Sequence, residues 1–96
     1  MSDRELHPDG RKRLHACLRS PSGEAVMSTL AGSDKPMTAR QIAEAAFVST
    51  TSARDQAARA VRLGYAVQTT VPVHGMPARA WQMTGAGRDY MVGDRS

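Results

Sequence analysis

The sequence predicts an α+β fold, mainly helical, with a two-stranded β-hairpin toward its C-terminal end. Three observations carry that reading. Four stretches between residues 8 and 64 place apolar residues at helical spacing, two of them behind capping signatures. One stretch, "YAVQTTVPV" at 65–73, alternates with the period of a strand. A second, "ARAWQM" at 78–83, resumes that pattern after a loop bracketed by Pro72 and Pro77.

"PDGRKRLHACLRS" predicts the first helix. Pro8 suits the first helical position, Asp9 the positive first turn and Arg19 the negative end. Leu14, Cys17 and Leu18 make its apolar stripe, which casts Cys17 as a small core residue. The run Arg11, Lys12, Arg13 reads as a solvated face. "SPSGEAVMSTLAG" restarts a helix, with Ser20 as cap, Pro21 and Glu24 in the first turn and Gly32 at the end. Val26, Met27 and Leu30 give it one buried face.

"MTARQIAEAAF" opens with Thr38 and Gln41 at the spacing of a capping box, where each side chain satisfies the other's free backbone donor. Met37 and Ile42 stand where a hydrophobic staple would close, and Ile42, Ala43 and Ala46 face inward. In "VSTTSARDQAARAVRLG" two caps compete: Ser49, with Val48 and Ala53 as its staple, and Ser52, which makes a box with Asp55. Ala53, Ala57, Ala60 and Val61 form the inner face, and Gly64 supplies the left-handed residue that closes the helix. In the hairpin Trp81 and Met83 share a face, so Trp81 reads as core. Thr84 caps a short last helix, "GAGRDYM", weakened by its two glycines. Residues 1–7 read as a flexible N-terminus and 8–96 as one domain.

The functional signal lies in residues 38–63. Two helices meet through the tight connection "FVST", with Ala43, Ala46, Ala53 and Ala57 at the crossing. Small side chains let helices cross closely and steeply, as in a helix-turn-helix whose second helix enters a DNA major groove. On the outer face of that second helix the sequence places Thr50, Thr51, Ser52, Arg54, Asp55, Gln56, Arg59 and Arg62. Short hydroxyls at a helix N-terminus can bond phosphates or base edges. Arg54 suits guanine O6 and N7, and Gln56 suits adenine. Arg59 and Arg62 fall where the duplex backbone would pass, and Asp55 is the one carboxylate on that face.

"MTARQIAEAAFVSTTSARDQAARAVRLGYAVQTT" followed by "GMPARAWQMTGAGR" resembles the winged helix-turn-helix domain of bacterial regulators of the MarR and ArsR kind. The resemblance covers about residues 22–91. It rests on Ile42-Ala43, Val48-Ser49 at the turn, Gly64-Tyr65 after the second helix, and Met83-Thr84 with Gly87-Arg88 after the hairpin. That family usually has leucine where Met83 stands, and often arginine near Met76. The resemblance implies a helix-turn-helix at about 38–63 and a wing at about 65–83. It further implies that residues 50–59 enter the major groove while the wing, through His74 and Arg79, contacts the minor groove or backbone.

A formal charge of +4, with eleven of thirteen basic residues arginine, is a mild bias toward polyanions. One cysteine can form neither an internal disulfide nor a Cys-rich zinc site. No phosphate loop, clustered metal-ligand set or nucleophile–base pair is visible, so neither enzyme activity, nor cofactor, nor metal is expected. No secretory or membrane-spanning segment is apparent, which suggests a cytoplasmic protein, and no effector pocket is evident. The expected function is sequence-specific binding of double-stranded DNA by a small transcriptional repressor, with residues 50–62 as recognition helix. A homodimer is expected, formed through the Leu14–Leu18 helix and the "DYM" segment. The alternative is a winged-helix protein–protein adaptor or inhibitor, encoded by a phage or a mobile element.

Overall fold

A computed structural model of the chain describes residues 8–94. The expectation for residues 1–7 lies outside the described residues. Five helices and three strands follow the order α1 (Pro8–Leu18), α2 (Pro21–Ala31), β1 (Met37–Thr38), α3 (Ala39–Ala46), α4 (Thr50–Arg62), β2 (Ala66–Val73), β3 (Met76–Met83) and α5 (Gly85–Asp94). The α+β class and the four leading helices are as the sequence predicts.

The sheet is a correction. It has three antiparallel strands in the order β1-β3-β2, not two. The added strand is Met37–Thr38, which pairs Met37 with Trp81 and Thr38 with Ala80. Two residues are too few to show a period of two, so no sequence pattern marks them. The hairpin is also longer than predicted. β2 and β3 pair continuously from Ala66 with Met83 to Val73 with Met76, straight through Pro72 opposite Pro77. In an antiparallel ladder, bonded and non-bonded pairs alternate. Val73 and Met76 flank the two-residue turn as a bonded pair, so the prolines fall in a non-bonded one. Neither is asked there for the donor it lacks. His74 (φ 52) and Gly75 (φ 79) both adopt the left-handed region, the geometry that matches the twist of paired strands.

The caps explain where the helices begin. Ser20 Oγ accepts from Gly23 N, and the Thr38–Gln41 box is complete in both directions, at 3.2 and 2.9 Å. Of the two competing caps on α4, Ser49 is the one used, accepting from Ser52 N at 3.0 Å. The α4 end is a Schellman motif: Gly64 N donates to Val61 O and Tyr65 N to Ala60 O, with Gly64 at φ +84. α3 ends the same way, Val48 N donating to Ala43 O, but the left-handed position there is Phe47 (φ 59).

One core gathers Leu14, Leu18, Val26, Met27, Leu30, Ile42, Leu63, Trp81 and Met83 around a floor of alanines from α3, α4 and β2. Ala53, Ala57 and Ala60 are wholly enclosed, which is how α2, α3 and α4 come to pack on one another. Trp81 is core, as predicted. Cys17 is only half-buried, at the edge of the stripe rather than within it. Leu14 and Leu18 belong to this same core, so they are not an outward surface for a second copy.

α5 is longer than "GAGRDYM" and is docked rather than loose. Thr84 caps it, its Oγ1 accepting from Gly87 N at 3.0 Å. A Cβ at Gly87 would collide with the Tyr65 carbonyl and the Met83 side chain, so the glycine permits a contact that alanine would block. Arg88 donates to Ala31 O and Ser33 O, tying α5 to carbonyls at the end of α2 and just after it. On the other flank Tyr65 and Tyr90 stack, and the Tyr65 hydroxyl bonds His15 Nε2 at 2.8 Å.

Candidate functional site

The inward stripe of α4 is Ala53, Gln56, Ala57 and Ala60. Its complement, Thr51, Arg54, Asp55, Ala58 and Arg62, lies exposed on the opposite side, with Thr50 exposed at the helix start. Ser52 and Arg59 flank the two faces and are half-buried.

Gln56 is a correction to the predicted site. It is 7% exposed and turned into the protein, where Nε2 donates to Ser22 Oγ at 3.2 Å. Its Oε1 has no partner among the described residues. The physical reason is helical phase: residue 56 is three after Ala53 and four before Ala60, so it must share their face. It cannot reach a base edge. Ala58 is what sequence reasoning missed. It occupies the middle of the outward stripe, where a methyl group lets a flat surface approach the helix closely.

Of the hairpin residues, His74 is exposed at the turn and Arg79 is exposed on β3. Residues in register share a face, so Arg79, opposite Thr70, lies on the face of Trp81 but two residues nearer the tip. That face looks toward α3 and α4. Between them is a groove of about 450 Å³ lined by Thr38, Ala39, Arg40, Arg54, Ala78, Arg79 and Trp81. The fold thus brings Arg54 and Arg79 into one depression and adds Arg40, which sequence reasoning did not single out. Arg40 also makes an exposed ion pair with Glu44 at 3.5 Å along α3. His74 does not line this groove.

Two features of the surface are apolar. Phe47, at the α3–α4 turn, is 93% exposed. At the hairpin tip, residues 71–78 contain no Asp, Glu, Lys or Arg, and Val73 and Met76 are exposed. Among the described residues no group of three or more His, Cys, Asp or Glu could hold a metal ion, and no helix is long and apolar enough to cross a membrane.

No known protein family matches this sequence, and no curated protein does. Among solved structures the chain is similar to the ST1889 protein from the thermoacidophilic archaeon Sulfolobus tokodaii. The TM-score is 0.57 at 16% identity, over 90% of this chain and 84% of that one. At that identity the likeness concerns the fold alone.

Proposed function

We propose that this chain is a winged helix-turn-helix DNA-binding protein that acts as a small transcriptional repressor. In this reading α3 and α4 are the helix-turn-helix, and α4 is the recognition helix that enters the major groove. The β2–β3 hairpin is the wing, lying on the backbone or minor groove. The observation that carries it is the outward stripe of α4. Thr51, Arg54, Asp55, Ala58 and Arg62 make one uncovered face, with Asp55 and Ala58 between two guanidiniums and Thr51 at the helix start. Thr50 and Thr51 then hold phosphates at the helix start, Arg62 follows the backbone, and Arg54 anchors the helix on the duplex. A dimer would present two such helices about one helical turn apart to a palindromic site.

The test is selection of bound sequences from a random duplex pool, followed by titration of the selected duplex. A recovered motif, with binding weakened at least severalfold by Arg54→Ala, supports the reading. A pool that never enriches, or a motif bound unchanged by the Arg54→Ala, Arg62→Ala double variant, removes it.

A second reading, a winged-helix module that docks on another protein, is favoured by one observation. The most exposed large apolar side chain, Phe47, stands at the helix-turn-helix corner where a DNA-facing surface would gain nothing from it. Co-purification of a protein partner that Phe47→Ser abolishes, with no duplex binding, would select this reading over the first.

A further inference from the structure

We propose that the groove between α3, α4 and β3 is a clamp for a single phosphate group, held jointly by Arg40, Arg54 and Arg79. The proposal deepens the DNA-binding reading and rests on it only for where the phosphate comes from. Three arginines line this depression from three separate elements: one near the start of α3, one from the first turns of α4, one from β3. No carboxylate is among the groove's lining residues. Arg54 and Arg79 make no ion pair among the described residues. Arg40's partner, Glu44, is itself exposed, and such a pair is readily exchanged for a better anion.

The groove also opens at the positive end of α3, through Thr38 and Ala39, which adds favourable potential for an anion. Its wall includes Trp81, 2% exposed, whose indole Nε1–H is the one buried side-chain donor without a partner among the described residues. Arginine forks suit phosphate oxygens, and three forks around one cavity suit one tetrahedral anion better than three scattered ones. The phosphate is either one from a duplex backbone, fixing the register of α4, or one from a free phosphorylated ligand.

The chain's one tryptophan makes the test direct. Its indole N–H gives a single cross-peak in a ¹H–¹⁵N spectrum, reporting from the groove wall. The labelled protein is titrated with inorganic phosphate at constant ionic strength, then with a duplex. Separately, the salt dependence of duplex binding is measured for Arg40→Gln, Arg54→Gln and Arg79→Gln, singly and together. Each phosphate contact contributes about 0.9 to the slope of log K against log salt. A shared clamp predicts that the triple variant loses about 0.9 in total, little more than any single variant, and that the indole shift vanishes in it.

Three independent backbone contacts would instead lose about 2.7 together, which overturns the clamp and leaves DNA binding standing. An indole that moves with neither probe also overturns it. A wild-type protein that ignores duplex yet shows a saturable indole shift with inorganic phosphate keeps the clamp, names a free phosphorylated ligand as its occupant, and removes the DNA reading. An indole that moves with the duplex, with the slope loss confined to one contact, supports the clamp on a backbone phosphate.

Discussion

Gln56 shows how one residue can be polar for reasons unrelated to binding. It sits in the alanine stripe of α4 with one amide atom bonded to Ser22 and the other without a partner among the described residues. A buried acceptor without a partner costs about 1–3 kcal/mol, against about 1 kcal/mol for the bond it keeps. Gln56→Met, similar in volume and apolar, is therefore expected to stabilise the fold by about 1 kcal/mol and leave DNA affinity unchanged. Urea denaturation and a duplex titration on the same variant check both halves; a loss of affinity would return Gln56 to the interface. Phe47 is the complementary case. Its left-handed backbone costs about 1–2 kcal/mol relative to glycine's ease there, while its ring touches mostly water. Phe47→Gly is expected to raise the denaturation midpoint or leave it unchanged. A clear fall would show that the ring has a partner within the chain.

At the scale of elements, helix ends were written plainly in the sequence and strand ends were not. Thr38 with Gln41, Ser20, Ser49, Thr84 and Gly64 each mark a boundary because a cap is a local bargain between neighbours three or four residues apart. β1 was invisible because its pairing is decided by β3, more than forty residues away. Pro72 and Pro77 suggested a loop because a proline's tolerance within a ladder depends on which pair it falls in, and that requires the register. The site was legible to the same extent. Helical phase gave the exposed Thr51, Arg54, Asp55 and Arg62, and the same phase, applied once more, would have withdrawn Gln56. Arg40 could not be found that way, since only the approach of β3 to α3 puts it beside Arg79. The docking of α5 is equally non-local, and it carries its own prediction. Gly87→Ala drives a methyl group into the Tyr65 carbonyl and Met83. The expected result is overpacking by about 1–3 kcal/mol, with amide exchange accelerated first in 85–94. If α5 keeps its protection, the contact is less tight than described.

For the molecule as a whole, a charge of +4 is too small to hold a polyanion by bulk attraction. Affinity must come from where the guanidiniums stand. Binding to a duplex should therefore weaken with salt through few contacts, with a slope nearer 3–5 than the value of about 10 that a large repressor can reach, if one copy binds alone. A slope near zero would exclude a phosphate-led mode. The paired prolines near the hairpin tip have a consequence between molecules. β2 is an outer strand, and "VQTTV" along it is rich in residues that favour cross-strand stacking. A proline beside that stretch deprives a visiting strand of an anchor and so guards against sheet growing from sheet. Pro72→Thr should fold as well as the parent but precipitate sooner when concentrated, its deposits brightening thioflavin.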